Sequence, residues 1–250
     1  MTETFDAAAV ANVLVEARRS RSPVDAAGFG CDPATLEDAY AVHTAVMQKI
    51  GTVGAFKTGI ASDGRQVMAP IATSGLRASE TSFAPDELWL AGVELEVAFR
   101  LERPLPDRTA PDFAERLRDA VIAVPAIEVV DTRLAFHESC SEWTKLADNQ
   151  FNAGLVVGEP VHDWHGLDLS TPAHTLQVGA ATIADGPGHI NGGSAWDLLR
   201  GFVEIVGDHC GGLQVGQYVT TGALSGLHWI DKGQPVVGRV EGLGEVSVNL

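Results

Sequence analysis

Apolar residues recur at helical spacing in four places along this chain, and elsewhere they alternate with polar ones or run on unbroken. Val10, Val13, Leu14 and Ala17 predict an amphipathic helix over 7–19. A second helix is predicted from Asp32 as N-cap and Pro33 as first helical residue. Leu36, Ala39, Tyr40, Val46, Met47 and Ile50 line one side of it, and Gly51 stops it. A third follows Pro111 and carries Phe113, Leu117 and Val121. A fourth starts at Ser194 and carries Trp196, Leu199, Phe202, Val203 and Val206. Strands are predicted at 53–60, 88–101, 122–132, 154–158, 175–183, 217–221 and 235–249, the last a glycine-turned hairpin. Helices and strands do not alternate as βαβ units require, so the expected class is α+β. A helical N-terminal part (1–75) leads into a strand-rich body (76–250), or the two form one continuous domain.

At 250 residues the chain is long enough to bury a substantial core. Its 17 basic and 33 acidic residues give a net charge of −16, which argues against nucleic acid or an anionic membrane as partner. Cys31, Cys140 and Cys210 are far apart and form no C-x-x-C pair, so neither a disulfide framework nor a zinc knuckle is expected. The start, Met1-Thr2-Glu3-Thr4-Phe5-Asp6, is acidic where a signal peptide is basic. No apolar run approaches the ~20 residues that span a bilayer. These features together predict a cytoplasmic protein.

The chemistry concentrates in three glutamates set in the most apolar stretches. Val93, Leu95, Val97, Phe99 and Leu101 alternate with Glu94, Glu96, Ala98 and Arg100, which places Glu94 and Glu96 on one strand face, about 6–7 Å apart at Cα. That spacing suits the wet face of a half-buried strand or a pair of ligands converging on one ion. Glu128, in Val124-Pro125-Ala126-Ile127-Glu128-Val129-Val130, has apolar neighbours on both faces and favours the ion. Oxygen-only ligands select hard cations such as Mg²⁺ or Mn²⁺. Asp131 and Arg133 just downstream read as a structural ion pair or a strand-end cap.

Lys57 is the only charge in Val53-Gly54-Ala55-Phe56-Lys57-Thr58-Gly59-Ile60. It reads either as a snorkelling edge lysine or as an ammonium facing an acidic site. Two further segments hold polar or small residues: the bend Lys145-Leu146-Ala147-Asp148-Asn149-Gln150-Phe151-Asn152, and Thr220-Thr221-Gly222-Ala223-Leu224-Ser225, whose backbone N–H groups could hold a carboxylate. No G-x-S-x-G, P-loop or strand-linked G-x-G-x-x-G occurs, which leaves serine hydrolases and nucleotide binding unsupported. His162 and His165 lie in a polar loop and read as surface residues.

These segments, in order, resemble the 2-keto-4-pentenoate hydratase and 4-oxalocrotonate decarboxylase family of the fumarylacetoacetate hydrolase superfamily. The resemblance runs through Phe56-Lys57-Thr58-Gly59, Glu94-Leu95-Glu96, Pro125-Ala126-Ile127-Glu128, Ala147-Asp148-Asn149 and Thr221-Gly222-Ala223-Leu224-Ser225-Gly226 to Gly242-Leu243-Gly244-Glu245-Val246. E-x-E followed by P-A-I-E is its specific part. It implies a mixed β-sandwich or roll, a homo-oligomer, and a divalent metal on Glu94, Glu96 and Glu128. It also implies Lys57 and Asp148 as catalytic groups and Asn149, Asn152, Thr221 and Gly222 as substrate contacts. Two departures stand out: Gln150-Phe151-Asn152 replaces small residues after A-D-N, and the stretch after Lys57 lacks an expected acid.

The activity so implied is a Mg²⁺- or Mn²⁺-dependent hydro-lyase acting on a short 2-oxo acid or its dienol. Decarboxylation of a 2-oxo diacid and C–C hydrolysis of an acylpyruvate use the same site. A non-catalytic accessory subunit is the reading from a different class.

Overall fold

The structure, a computed structural model, describes residues 5–29 and 32–250; the acidic first four residues and Cys31 lie outside the described residues. Among the described residues there are five α-helices: α1 (Ala7–Ser20), α2 (Leu36–Ile50), α3 (Phe113–Ala120), α4 (Glu142–Ala147) and α5 (Ala195–Ile205). In chain order the strands are β1 (Val24–Asp25), β2 (Val53–Ile60), β3 (Gln66–Ala72), β4 (Leu76–Ala78), β5 (Thr81–Ser82), β6 (Gly92–Leu101), β7 (Val121–Val130) and β8 (Leu134–Ala135). Then follow β9 (Asn152–Val157), β10 (Ala173–Val178), β11 (Ala181–Pro187), β12 (Tyr218–Ala223), β13 (His228–Trp229), β14 (Pro235–Val240) and β15 (Gly244–Asn249). The class is α+β with mixed sheets, as the sequence predicts.

Helix ends follow side-chain caps. Asp6 accepts from the backbone N–H of Ala8 and Ala9 and starts α1. The second helix begins three residues after the expected Pro33. Thr35 and Asp38 form a reciprocal capping box there, two hydrogen bonds that the Asp32-Pro33 start does not offer. Ser194 and Asp197 form a second capping box and fix the start of α5 where the sequence places it. Val121 belongs to β7 rather than to the third helix. Strand β3 and helix α4 were not expected. Strand β3 contains Pro70, which it accommodates by lying at the end of its sheet. The apolar run 175–183 is two strands, folded back at Gly179.

The larger sheet runs β3-β2-β12-β6-β7-β9-β4, with β13 added alongside β6; the smaller runs β11-β10-β14-β15-β5. Their apolar faces stack. Val93, Leu95, Val97 and Phe99 of β6 share one core with Val236, Val246 and Val248 of the smaller sheet and with Leu198, Leu199 and Phe202 of α5. Contact is close enough that a side chain at Gly238 would collide with Leu95. On the reverse of the larger sheet, α1, α2 and α4 form a second core around Val10, Leu14, Val42, Val46 and Leu146, with Val67 from β3. Every residue of β7 is buried, which is why its sequence shows no alternation.

Candidate active site

Strand parity turns Glu94 and Glu96 away from the core face of β6, and the antiparallel register sets Glu128 of β7 directly opposite Glu94. One carboxylate oxygen from each of the three lies within 4.8 Å of the others. Like charges opposite one another on neighbouring strands are destabilising, so the arrangement needs positive charge. Lys57 supplies part of it. Its Nζ lies 2.6 Å from Glu128 Oε1 and 4.0 Å from Glu94 Oε2, and it donates to the Gln150 carbonyl at 3.2 Å. Strands β2 and β7 are three positions apart in the sheet, about 14 Å if it were flat. The curl of the sheet brings the two side chains together. Lys57 is thus not a snorkelling edge residue.

One ammonium faces three carboxylates. Burial pushes the Glu94 carboxyl up to about 7, with Lys57 opposing and Glu128 adding to the rise. Burial, then Glu128 and Glu94, holds the Glu96 carboxyl well above the ordinary range. Burial alone would lower Lys57, but Glu128, Glu94 and Glu96 outweigh it and raise the ammonium above its usual value.

Each carboxylate is held differently. Glu96 Oε2 accepts from the Thr220 hydroxyl and, at 2.9 Å, from the Gly222 backbone N–H. Gly222 sits at φ 92° beside an irregularity in the β12–β6 pairing. That left-handed backbone suits glycine and turns the amide toward Glu96. Glu128 Oε1 accepts from Lys57 and from Asn152 Nδ2 at 3.0 Å. Its Oε2 is buried without a partner, a costly state for a carboxylate oxygen. An all-oxygen cluster with an orphaned buried oxygen and unbalanced negative charge fits a hard divalent cation.

The cluster opens into a cavity of about 430 Å³ lined by Lys57, Glu94, Glu96, His189, Asn191 and Leu227, among others. A larger cavity of about 800 Å³ lies beside Trp229 but contains none of the three glutamates. The wall of the site includes an unusual segment. Asn149, Gln150 and Phe151 have φ of 52°, 48° and 65°, three successive non-glycine residues in the left-handed region. Their anchors are the Asn149 amide, which donates to the Pro70 carbonyl at 2.7 Å, and the Arg133–Asp148 ion pair at 2.5 Å.

The structure therefore brings Lys57, Glu94, Glu96 and Glu128 together, with Gly222 and Asn152 bonded directly to two of the carboxylates. It does not bring Asp148, Asn149 or Thr221 to them. The Asp148 carboxylate is buried and taken up by Arg133 Nε, the Arg133 N–H and the Thr132 hydroxyl, so it faces away from the cavity. The Asn149 amide is spent on Pro70. The Thr221 hydroxyl donates to the Val97 carbonyl at 2.8 Å. Of the two readings of Asp131 and Arg133, the ion pair does not form and the cap does: just past β7, Asp131 accepts from the Trp89 and Leu90 N–H groups. His162 and His165 are exposed, as expected, and Cys140 and Cys210 are free thiols. Thr220, Gln150, His189 and Asn191 were not anticipated. Thr220 and Thr221 are adjacent, and nothing local in the sequence tells which of them faces Glu96.

No protein-family model matches the sequence. The fold is shared with solved structures of low sequence identity. It superposes on 4-oxalocrotonate decarboxylase from Pseudomonas putida G7, complexed with magnesium and adipate, with a TM-score of 0.79 at 17% identity. That match covers 97% of this chain and 96% of the other. A fumarylacetoacetate hydrolase family protein from Yersinia pestis CO92 gives 0.56 at 14% identity over 81% and 94% of the two chains. In sequence the chain is similar to 2-keto-4-pentenoate hydratases over part of its length. It is 32% identical over 163 residues to hydratase 1 of Dechloromonas aromatica (strain RCB) and 30% over 161 residues to hydratase 2. These alignments span 62% of this chain and 58% of each relative.

Proposed function

We propose that the protein is a divalent-metal-dependent hydratase acting on a short 2-oxo acid or its dienol, with 2-hydroxypenta-2,4-dienoate as the representative substrate. The observation that carries this reading is the convergence of three carboxylates, two buried and one half-buried, with a single ammonium as counter-charge. The kinship with 2-keto-4-pentenoate hydratases supports the same reaction. Glu94, Glu96 and Glu128 would hold the cation, Mg²⁺ or Mn²⁺. When bound, it supplies Lewis-acid polarisation of the substrate carboxylate and 2-oxo oxygens. Structures related in fold, solved with magnesium or with Mn²⁺, support a divalent ion without fixing which.

The chain's own groups do the rest. Lys57 stays protonated between Glu128 and Glu94 and offers a fixed positive charge to the substrate's 2-oxygen as negative charge gathers there. Asn152 and Lys57 grip Glu128 Oε1 and leave Oε2 without a protein partner. The Gly222 N–H and Thr220 hydroxyl fix Glu96. His189 is the titratable side chain in the cavity outside the cluster. It would pass a proton to C5 of the dienol as the 2-hydroxyl gives up its own to solvent, leaving a 2-oxo-3-enoate, and would then take a proton from the water adding at C4 while C3 gains one from solvent. Dienol plus water thus becomes a 4-hydroxy-2-oxo acid, with no atom lost.

The test is turnover of the dienol by purified protein after chelation and again after Mg²⁺ is restored, with Glu128→Ala as control. The expected result is loss with chelator, recovery with Mg²⁺ and no activity in the variant. Full activity in chelator contradicts the proposal, and release of CO₂ or of two cleaved acids redirects it to decarboxylation or hydrolysis. Self-assembly belongs to the same reading. Exposed Trp89, Phe136 and Trp229 support it, and light scattering of the purified protein tests it.

A further inference from the structure

A second polar cavity adjoins the carboxylate cluster through Asn152. It encloses about 140 Å³ and is lined by Arg18, Ala72, Ser74, Arg77, Asn149 and Asn152, among others. At ~30 Å³ per water molecule, such a space holds a group of about five non-hydrogen atoms. Arg77 is already paired with Glu87 at 2.9 Å. Arg18 is not. Among the described residues its guanidinium makes one hydrogen bond, to the Asn152 carbonyl at 3.1 Å, and no ion pair. Arg133 donates to that same carbonyl at 2.9 Å while its charge is matched by Asp148. Two guanidiniums therefore converge on one neutral oxygen with a single carboxylate between them. Burial, with Arg133 adding, lowers Arg18 to about 10, and Asp148 and Asp131 oppose this only in part. Arg18 is half-buried, and a positive charge partly withdrawn from water with only partial compensation favours a counter-ion.

We propose that this cavity binds a small oxyanion of four or five non-hydrogen atoms, either a carboxylate such as acetate or a tetrahedral anion such as phosphate, gripped by Arg18. One of the five guanidinium donors is occupied, which leaves the rest for a forked contact to two anion oxygens. The Ser74 hydroxyl stands at the exposed edge of the same space. The anion would steady the main chain at Asn152, whose side chain holds Glu128. The site itself stands whether or not the glutamates carry a metal.

Thermal unfolding in chelator tests it, with millimolar sulfate, phosphate, acetate or chloride at equal ionic strength. At ten times its Kd the bound oxyanion raises Tm by roughly 3–6 °C, and chloride does not. Sulfate and phosphate against acetate then separate the tetrahedral from the planar source. Arg18→Gln removes the charge. Ala72→Leu fills the cavity and leaves the charge in place. Both lose the rise, whereas general salt stabilisation would persist in both. The proposal is overturned if no oxyanion outperforms chloride, or if the rise survives Ala72→Leu. That second variant decides the matter should Arg18→Gln fail to fold.

Discussion

Replacing Glu94 with glutamine should make the metal-free protein more stable while removing its response to Mg²⁺. The carboxyl of Glu94 is held at about 7 instead of 4.5. Ionising it inside the folded protein therefore costs roughly 3 kcal/mol at a pH well above 7. Because its folded value is raised, there is no cost below about 4.5, where the group is protonated folded or unfolded. The cost grows between 4.5 and 7 and is complete above 7. Glu94→Gln has no such charge. One kcal/mol corresponds to ~2–4 °C for a chain of this size, so the variant should melt roughly 6–12 °C above the wild type in chelator at pH 8.5. At pH 4 the two should melt together. Saturating Mg²⁺ should then raise the wild type and leave the variant nearly unmoved. Differential scanning fluorimetry across pH 4–8.5, with and without Mg²⁺, reads all three effects. If Glu94→Gln is the less stable protein in chelator at pH 8.5, or if Mg²⁺ stabilises both equally, the carboxylates do not repel one another around a shared ion.

Lys57→Met should keep Mg²⁺-induced stabilisation, because it removes a cation and not a ligand, yet lower kcat by about 10²-fold or more; steady-state kinetics with a parallel melting curve separates the two effects. Asp148→Ala leaves Arg133 buried and unpaired, so it should cost about 3–5 kcal/mol in chemical denaturation. Activity per folded molecule should survive, as befits an anchor of the Asn149–Phe151 segment and not a proton carrier. Gly222→Ala forces a side chain onto a backbone at φ 92° and loosens the amide on Glu96. It should weaken Mg²⁺ binding by calorimetry more than it changes KM for substrate.

The glutamate trio was legible in the sequence because ionisable residues in unbroken apolar strands have few physical explanations. E-x-E fixed two of them on one face by parity alone. Lys57 was visible as a lone charge, but its partner was not, since contact with Glu128 depends on sheet curl and on a strand order that no local pattern encodes. The surroundings of Asp148 were hidden for a related reason. A carboxylate in a polar bend looks available, and only the fold shows Arg133, fifteen positions upstream, reaching back to consume it. Thr220 and Thr221 differ by one position, and the irregular β12–β6 pairing decides which faces Glu96. His189 and Asn191 came from a Gly-rich loop with no periodicity to read. Helices were placed well wherever a cap residue preceded an apolar stripe, as at Ser194, and shifted where two caps competed, as at Asp32 and Thr35.

The most direct measurement is an anomalous-scattering map from crystals of the protein grown with Mn²⁺. The account predicts one peak, within about 2.0–2.3 Å of an oxygen from each of Glu94, Glu96 and Glu128, and its disappearance in Glu128→Ala. A map with no peak there, or with manganese bound elsewhere while these three side chains stay clamped by Lys57 alone, would contradict it.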